Sequence, residues 1–417
     1  MNTHKIIQGD CIAGMRTLPD ACIQTCITSP PYFALRDYSG GEEEIGQEDT
    51  VEGYVQKMLE VFREVRRILR DDGTVWLNLG DSYMSAKGCS PPPQTLGKGA
   101  VDGQPKDFVP PNRKDQKGLK DKDLIGIPWR VAFALQADGW YLRQDIVWNK
   151  PNPMPESVTD RCTKSHEYIF LLSKKKHYYF DNEAIREPAA ESSAARLLRG
   201  VSDTHKNVDG APGQTPHSMN KPRKNARAFG AKVQVGTKRG DVGNTFVDTG
   251  KRNKRSVWSV TVKPFRGAHF ATYPKDLITP CVLAGTSEHG CCSKCGTPWN
   301  REVEIKRTFE SGSGRSGNLP EGKNGKNLQG GGETKDIRRG PVCHSKTLGW
   351  AASCKCKDAE IVPCTVFDPF TGSGTTAVVA LIHGRNYIGT ELNPEYIKIA
   401  ESRIADEVPN TLQEFIV

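Results

Sequence analysis

The chain has 417 residues and a net charge of +9, and only 36% of its residues are apolar. This length suits one large α/β domain with polar insertions, or two domains. The sequence contains no run of about 18 apolar residues, and its first ten residues lack the apolar core of a signal peptide. These features exclude the membrane and secreted classes and predict a soluble, cytoplasmic protein. In that reducing compartment, 13 cysteines favour metal binding over disulfide bonds.

A proline-rich loop follows the second predicted strand. Residues 6–10 predict a short strand that ends at Gly-Asp, and residues 21–28 predict a second strand. The tetrapeptide Ser29-Pro30-Pro31-Tyr32 comes next, and a strand cannot continue through two prolines. We therefore expect the tetrapeptide in a loop at the carboxyl end of a strand, where open α/β sheets place their ligands.

Helices and strands alternate through the middle of the chain. Apolar residues recur at three- and four-residue spacing over residues 51–69, which predicts an amphipathic helix. Asp71-Asp72-Gly73 is expected to end this helix before a strand at residues 74–79. The next predicted helix and two predicted strands are residues 127–138, 141–148 and 168–172. Three polar intervals without apolar periodicity are predicted to be insertions, at residues 88–123, 188–255 and 311–340.

The positive charge is concentrated in residues 221–255. This segment holds eleven Lys or Arg against two Asp, a surplus that equals the net charge of the whole chain. A neutral body with one basic segment fits a surface that binds a polyanion, and a solvated loop is the alternative interpretation. The residues predicted to contact DNA are Lys221, Arg223, Lys224, Arg227, Lys238, Arg239, Lys251, Arg252, Lys254 and Arg255.

The C-terminal region has a strand, a glycine turn and a helix in succession. Residues 364–368 predict a strand, residues 374–383 a helix and residues 386–390 another strand. Asn393 and Pro394 suit the N-cap and the first position of a final helix. Glycines between a strand and a helix let a ligand lie against the backbone at the helix N-terminus. The region therefore predicts a cofactor site.

Two kinds of cofactor compete for this turn, whose sequence DPFTGSG starts at Asp368. Glu391 stands nineteen residues after Gly372, where an acid can bind ribose hydroxyls. The spacing of Gly372, Gly374 and Ala377 satisfies the dinucleotide pattern, so a nicotinamide or flavin site is one interpretation. Asp368 favours S-adenosylmethionine, because a carboxylate suits its cationic amino acid part and repels a pyrophosphate.

The Ser-Pro-Pro-Tyr tetrapeptide suits the methylation of an exocyclic amine on a base. Such an amine is a poor nucleophile because its lone pair is delocalised into the ring, and hydrogen-bond acceptors on its N–H groups draw it toward sp³ geometry. Ser29 Oγ and the Pro30 carbonyl are candidate acceptors, and Pro31 stiffens the loop. Tyr32 can stack on a base that has rotated out of the duplex. Taken alone, the tetrapeptide is equally compatible with a stiff turn.

Cysteines cluster ahead of the cofactor strand as Cys292-x-x-Cys295 and Cys354-x-Cys356. Four thiolates can close a tetrahedral structural zinc site, and a Cys-x-x-Cys pair followed by glycine is typical of one half of such a site. Free cysteines without a metal are the alternative. Four neighbours are candidate substitutes for one ligand: His289, Cys291, Cys343 and His344.

Taken together, the Ser-Pro-Pro-Tyr loop and the DPFTGSG turn resemble the DNA amino-methyltransferases, which modify cytosine N4 or adenine N6. The order of the motifs resembles the β circular order of that family, in which the catalytic loop precedes the cofactor motif. Further segments that resemble the family are residues 9–10, 67–81, 148–150, 166–174 and 267–274. The resemblance implies a doubly wound, mostly parallel, Rossmann-like α/β sheet, circularly permuted and with insertions.

The resemblance also implies roles for residues and partners. It implies S-adenosylmethionine as the methyl donor and Ser29, Pro30, Pro31 and Tyr32 as the catalytic loop. The implied cofactor-binding residues are Asp10, Phe270, Pro274, Asp368, Phe370, Gly372, Gly374, Thr375 and Glu391. Target recognition falls in the interval that holds the basic segment, so double-stranded DNA is the expected partner. A cognate restriction endonuclease is a candidate partner in a bacterial or phage-encoded system.

Seven segments follow from these assignments. Methyltransferase segments are expected at residues 1–87, 124–187 and 358–417, a polar insertion at 88–123, a basic target-recognition region at 188–262, a cofactor-covering segment at 263–288 and a zinc-binding insertion at 289–357.

The target base and the class of protein each have alternatives. Ser29 stands where related loops have Asp, which favours cytosine N4, with adenine N6 as the alternative. A nicotinamide-dependent oxidoreductase is a more distant alternative, against which Asp368 and the tetrapeptide argue. A non-catalytic DNA-binding protein that retains a vestigial core is another, against which the intact loop argues.

Overall fold

The structure is a computed structural model that describes residues 3–33, 44–84, 116–188, 251–263, 273–310, 316–318 and 342–408. The helices of these residues are α1 (Cys11–Arg16), α2 (Val51–Ile68), α3 (Ile127–Ala137), α4 (Lys275–Gly285), α5 (Thr375–Ile382) and α6 (Pro394–Glu407). Their strands are β1 (His4–Gln8), β2 (Ile23–Thr28), β3 (Leu69–Leu79), β4 (Tyr141–Asn149), β5 (His166–Ser173), β6 (Glu187–Pro188), β7 (Lys251–Arg252), β8 (Val257–Ser259), β9 (Cys291–Cys292), β10 (Asn300–Glu310), β11 (Ser316–Asn318), β12 (Val342–Ala351), β13 (Ile361–Val362), β14 (Thr365–Asp368) and β15 (Asn386–Glu391).

Eight strands form one sheet in the order β1-β15-β14-β2-β3-β5-β4-β8. The first five of these strands run parallel to one another, β5 is antiparallel to both of its neighbours, and β8 is parallel to β4. Both halves of the chain supply strands, because β14 lies between β15 and β2. The structure thus confirms the predicted doubly wound, mostly parallel sheet.

Helices cover both faces of this sheet. Helices α1, α2 and α3 pack on one face, where Phe62 of α2 shares a buried apolar cluster with Val75 and Leu77 of β3. Helices α4, α5 and α6 pack on the other face, where Val282 of α4 shares a second cluster with Trp76. Successive residues of a strand point to opposite faces, so β3 contributes to both clusters. Burial on both faces explains why the second half of this strand, residues 75–79, is mostly apolar.

The helix predicted at residues 51–69 forms as α2. Thr50 caps it, since its hydroxyl accepts a hydrogen bond from Gly53 N at 2.9 Å. The helix ends at Ile68, before Asp71-Asp72-Gly73, but the strand expected from residue 74 begins at Leu69 and runs through these three residues. The pairing of β3 with β2 shifts register here, and Asp71 forms an ion pair with Lys174 at 3.1 Å. The three residues therefore belong to an irregular, charge-paired part of β3.

The chain divides into two compact units. Unit 1 comprises residues Met1–Ile185, Lys254–Arg301 and Trp350–Val417, and it contains the eight-stranded sheet and the antiparallel pair β9 and β13. Unit 2 comprises Arg186–Asn253 and Glu302–Gly349. It contains the antiparallel pair β6 and β7 and most of the three-stranded sheet in the order β11-β10-β12. The seven predicted segment boundaries remain predictions.

The described helices were also compared with the requirements of a bilayer crossing. None of the helices in the described ranges combines the length and the apolar character that a transmembrane helix needs.

Candidate active site

One pocket in unit 1 lies at the carboxyl ends of four neighbouring parallel strands. Its wall is built from the segments that follow these strands: residues 9–11 after β1, 29–32 after β2, 369–373 after β14 and 391–393 at the end of β15. Because parallel strands end at the same edge of a sheet, residues from both ends of the chain meet here. The pocket therefore brings the Ser-Pro-Pro-Tyr loop and the glycine turn together.

Glu391 organises the glycine turn. Its two carboxylate oxygens accept hydrogen bonds from Gly372 N at 2.7 Å and from Asn393 N at 3.0 Å. Burial raises the pKa of Glu391, and the backbone amides that bind its charged form oppose this rise. The adjacent strand β1 adds a further contact, because Gly9 N donates to the Glu391 carbonyl at 2.9 Å. An acid is thus held at the point where the turn and the next strand meet.

Asp10 lies two residues after the end of β1, whose last residue Gln8 pairs with Glu391. Its Oδ1 accepts a hydrogen bond from Ala13 N at 2.8 Å and so caps α1. Gly9 before it has φ of +122°, a left-handed conformation that favours glycine. The side chains of Asp10 and Glu391 both line the pocket.

Asp368 lies beneath the pocket wall and is only 1% exposed. Its Oδ1 accepts hydrogen bonds from Thr28 Oγ1 at 2.6 Å and from Phe370 N at 3.0 Å, and its Oδ2 accepts one from Thr376 Oγ1 at 2.7 Å. Burial raises the pKa of Asp368 to about 7 from its ordinary value of 3.8, and these hydrogen bonds limit the rise. Asp368 therefore joins the last residue of β2 to the glycine turn.

The tetrapeptide loop is held by a hydrogen-bond network around Tyr32. The Tyr32 hydroxyl donates its single proton to Glu167 Oε2 at 2.8 Å, while Asn78 Oδ1 lies 3.2 Å and Ser29 Oγ 3.4 Å from the same oxygen. The ring packs on Gly80, where an added Cβ would lie 2.5 Å from a ring carbon. Glycine at that position is required by this close approach.

The rest of the loop is fixed from α2 and from the sheet. Tyr54 donates a hydrogen bond to the Pro31 carbonyl at 2.9 Å. Glu167 also pairs with Lys150, which follows the neighbouring strand β4, and both side chains are mostly shielded from solvent. The Lys150 ammonium lies 4.3 Å from the ring centroid of Trp148. The loop is therefore supported by charged and aromatic side chains from α2 and from the strands beside it.

The predicted cofactor residues divide into three groups. Asp10, Phe370, Gly372, Thr375 and Glu391 line the pocket, as do the four residues of the tetrapeptide. Three others, Asp368, Gly374 and Pro274, are not among its lining residues. At Gly374, φ is +75° and an added Cβ would lie 2.8 Å from Ala400 Cβ, so this glycine serves the packing of α5 against α6. Phe270 lies outside the described residues.

The predicted DNA-contacting residues are described only in part. Six of them lie outside the described residues: Lys221, Arg223, Lys224, Arg227, Lys238 and Arg239. Lys251 and Arg252 form β7 in unit 2, where Arg252 pairs with Glu187 at 3.4 Å. In unit 1, the Lys254 ammonium lies 5.0 Å from the ring centroid of Trp258, and the Arg255 carbonyl accepts a hydrogen bond from the same indole.

The predicted metal ligands do come together. Sulfur atoms of Cys292, Cys295, Cys354 and Cys356 all lie within 4.8 Å of one another, and none of the four lines the pocket.

Several contacts of the site did not follow from the sequence. Thr28 and Thr376 bind Asp368, and Glu167 and Asn78 bind Tyr32. The sequence did contain a signal for the contact of Glu167 with Lys150. Glu167 lies near the start of β5 and Lys150 directly follows β4, so the two charges meet when these strands pair. Nothing in the local pattern distinguishes the two threonines from ordinary strand and helix residues.

Comparison with known proteins shows the family. The family model described as DNA methylase, which covers N6 and N4 methyltransferases, matches residues 23–292 and 364–402. Type II methyltransferase M.Cfr9I of Citrobacter freundii is 34% identical over 99% of this chain and 91% of its own length. Type II methyltransferase M.SmaI of Serratia marcescens is 35% identical over 97% of this chain and 91% of its own length.

Solved structures of DNA methylases are more distant in sequence. The PvuII DNA methyltransferase (cytosine-N4-specific) is 14% identical, with a TM-score of 0.47 over 99% of this chain and 94% of that chain. A DNA modification methylase of Thermus thermophilus complexed with S-adenosyl-L-methionine is 15% identical, with a TM-score of 0.44 over 98% and 97%. From the family model and its near full-length relatives, the chain belongs to the DNA methylase family of N6 and N4 methyltransferases.

Proposed function

We propose that the protein transfers a methyl group from S-adenosylmethionine to the exocyclic amino group of a base in double-stranded DNA, and that this base is cytosine. The observation that carries the proposal is the single pocket whose wall holds both the Ser29–Tyr32 loop and the Gly372 turn. The loop would supply hydrogen-bond acceptors for an amine, and the turn would supply a binding surface for a cofactor. Their meeting at one sheet edge is what methyl transfer between two bound molecules requires.

The residues of the pocket fit S-adenosylmethionine. Glu391 has acceptor capacity left for ribose hydroxyls, because each carboxylate oxygen can accept more than the one backbone hydrogen bond that it has. Phe370 and Tyr396 offer aromatic surface to a purine ring, and Asp10 offers a further acceptor. The cofactor supplies a methyl group on a sulfonium, a good leaving group. The protein must orient the donor and the acceptor.

Asp368 has a positioning role in this proposal. It binds the hydroxyl of Thr28, the residue immediately before Ser29, and the backbone N–H of Phe370 in the cofactor turn. One buried carboxyl group therefore sets the spacing between the catalytic loop and the cofactor turn. When ionised, its charge also favours the cationic end of the cofactor.

Ser29 and the Pro30 carbonyl would accept hydrogen bonds from the target amine and raise the nucleophilicity of its nitrogen. Tyr32 would contact the ring of the flipped base. Its hydroxyl is already fixed by Glu167 and Asn78, so the ring is held in one orientation before DNA arrives. Fixing these groups in advance lowers the cost of ordering them during the reaction.

The preference for cytosine N4 rests on Ser29, and adenine N6 is the alternative. We further propose that the basic segment of residues 221–255 contacts DNA phosphates, which would add affinity without sequence preference. A restriction endonuclease with the same recognition sequence is the proposed functional partner, because the relatives M.Cfr9I and M.SmaI are named Type II methyltransferases.

Nucleoside mass spectrometry of DNA from cells that express the protein tests the function and the base together. We expect N4-methylcytosine above the level of a vector control, and none from cells that express Ser29→Ala with Tyr32→Ala. Tyr141→Ala is the matched control, because Tyr141 is 46% exposed and lies outside the pocket. N6-methyladenine in place of N4-methylcytosine would overturn the base assignment. Absence of both, with binding of NAD and not of S-adenosylhomocysteine, would overturn the methyltransferase proposal.

A further inference from the structure

Four cysteines converge in unit 1 at a place that the proposed methyl transfer does not use. The sulfur atoms of Cys292, Cys295, Cys354 and Cys356 lie within 4.8 Å of one another, and none of the four forms a disulfide. Four sulfurs at about 2.3 Å from one zinc ion are about 3.8 Å apart along a tetrahedron edge. A small contraction of the cluster would therefore complete a tetrahedral site.

The first cysteine pair already has the backbone of a metal-binding knuckle. Gly296 N donates to the Cys292 carbonyl at 2.7 Å, and Cys292 N donates to the Thr297 carbonyl at 3.0 Å, so the chain turns tightly around the pair. Gly296 has φ of +69°, which favours glycine at this position. The Thr297 hydroxyl lies 3.2 Å from Cys295 Sγ, close enough to stabilise a metal-bound thiolate.

The second pair is brought to the first by contacts that do not involve sulfur. Strands β9 and β13 pair at Cys292 and Ile361, and Ser293 N donates to the Glu360 carbonyl at 3.0 Å. The Lys294 ammonium donates to the Lys357 carbonyl at 2.7 Å. The convergence is therefore built into the surrounding fold.

The charges around the cluster match the charge of a zinc centre. Zinc with four thiolates is doubly negative, and lysines stand between the ligands of each pair, at Lys294 and Lys355. Arg70 donates to the Cys295 carbonyl and to Thr297 Oγ1, the latter at 3.0 Å. The two lysines would compensate part of the negative charge, whereas Arg70 is itself paired with Asp72 at 2.9 Å and serves mainly to hold the knuckle.

We propose that Cys292, Cys295, Cys354 and Cys356 bind one structural zinc ion. Four protein ligands leave no open position for water, so the ion takes no part in chemistry. It lies at the amino end of β2, where Gln24 Nε2 donates to the Gly296 carbonyl at 3.0 Å. Ser29 follows the other end of this strand, about 16 Å away at an ordinary strand rise. The ion thus fastens the knuckle to the same strand that carries the catalytic loop.

The two pairs also flank an interruption of unit 1. Cys292 and Cys295 precede Arg301, where the chain leaves unit 1, and Cys354 and Cys356 follow its return at Trp350. A zinc ion bound by both pairs would close the ends of the intervening segment. Its binding free energy would offset the entropy that unit 1 loses on bringing these ends together.

Elemental analysis of the full-length protein, purified without a histidine tag or chelator, tests the proposal. We expect about one zinc ion per chain, as a four-ligand site predicts. Cys354→Ser with Cys356→Ser should lose the zinc. Cys162→Ser is the matched control and should retain it, because Cys162 is an exposed free cysteine outside the cluster. A folded protein with only traces of zinc, iron in its place, or full zinc in the double variant would overturn the proposal.

Cobalt substitution of the wild-type protein keeps the test decisive if the cysteine variants fail to fold. Tetrahedral thiolate coordination gives Co²⁺ intense visible absorption and a sulfur-to-cobalt charge-transfer band, whereas oxygen ligands do not. Appearance of both bands, titrating to one cobalt ion per chain and suppressed by added zinc, is the expected result. Their absence would contradict the tetrathiolate site.

Discussion

The hydroxyl of Tyr32 lies 2.8 Å from Glu167 Oε2, although 135 positions of sequence separate the two residues. Glu167 is therefore expected to act on the proposed catalytic loop through Tyr32. We expect Glu167→Ala to lower kcat about 10- to 100-fold, the cost of losing a hydrogen bond to a charged group. S-adenosylhomocysteine affinity should stay unchanged, because Glu167 is not among the residues that line the pocket.

Comparison of Glu167→Gln with Glu167→Ala distinguishes the hydrogen bond to Tyr32 from the ion pair with Lys150. The glutamine amide oxygen can still accept from Tyr32, so Glu167→Gln should recover much of the lost kcat even though the charge paired with Lys150 is gone. Steady-state kinetics on a DNA substrate, with circular dichroism to check folding, separates the outcomes. Equal losses in both variants would indicate that the ion pair, and not the tyrosine contact, matters.

Two substitutions in the tetrapeptide should differ in their effects on kcat and on DNA affinity. Ser29→Ala removes an acceptor used mainly in the transition state, so kcat should fall on the order of 100-fold with little change in DNA affinity. Tyr32→Ala should weaken both kcat and DNA binding, the latter by about 1–3 kcal/mol for a lost stacking contact. Single-turnover kinetics and fluorescence anisotropy measure the two effects. Methylation at the wild-type rate by either variant would remove this loop from the active site.

The stability of the protein should depend on pH through Asp368. The pKa of this group is raised from 3.8 to about 7 in the folded protein, so the folded state holds a proton that the unfolded state releases. The resulting stabilisation is complete below about pH 4 and is lost as the pH rises through about 7, at up to about 1.4 kcal/mol per pH unit. Asp368→Asn removes this dependence.

Urea unfolding of both proteins between about pH 5 and pH 8 checks this prediction. The free energy of unfolding of Asp368→Asn, relative to wild type, should increase with pH. Other titrating groups contribute equally to both proteins and cancel in the difference. A difference that is flat or decreases with pH would show that Asp368 is ionised throughout this range.

Gly374 should matter for stability more than for cofactor binding. Gly374→Ala places a Cβ 2.8 Å from Ala400 Cβ at a φ of +75°, and we expect a loss of about 1–3 kcal/mol in the free energy of unfolding. Adding Ala400→Gly relieves the contact and should restore part of this loss. Denaturant unfolding and S-adenosylhomocysteine titration of the stable variants check both statements. A variant that unfolds normally but binds the cofactor analogue poorly would assign Gly374 to the cofactor site instead.

The basic segment should control the salt dependence of DNA affinity. Replacing Lys221, Arg223, Lys224 and Arg227 by Glu should reduce the slope of log K against log salt, by about 0.9 for each phosphate contact removed. A matched set of exposed lysines outside the segment, reversed together, controls for net charge: Lys5, Lys120, Lys176 and Lys398. Equal salt slopes for the two sets of variants would show that the segment affects DNA affinity only through the net charge of the protein.

The elements that the sequence predicted well are those whose signal is local. The strand, turn and helix around Gly372 follow from apolar runs and glycines that are adjacent in the chain, and they appear at the predicted places within a residue or two. The network around Asp368 could not be predicted in this way. Its bond to Thr28 spans 340 positions and exists only because β14 and β2 pair in one register.

The start of β3 was predicted at residue 74 and not at Leu69 for a related reason. Two acids and a glycine favour a turn when the chain is considered alone. In the folded protein Asp71 gains Lys174 as a partner, and the Leu69 carbonyl accepts a hydrogen bond from the same lysine at 3.0 Å. Tertiary contacts therefore overrode the local preference.

The position of β14 between β15 and β2 has a consequence for biosynthesis. Ribosomes deliver β2 early and β14 only after more than three hundred further residues, so one edge of β2 stays unpaired through most of translation. Every residue of β2 is buried in the complete sheet. While its edge is unpaired, the strand therefore exposes hydrogen-bonding groups and side chains that favour aggregation. A nascent chain that stalls before β14 would carry the Ser29–Tyr32 loop without the glycine turn that forms the other wall of the pocket. With this edge of β2 unpaired, such a fragment would be prone to aggregate.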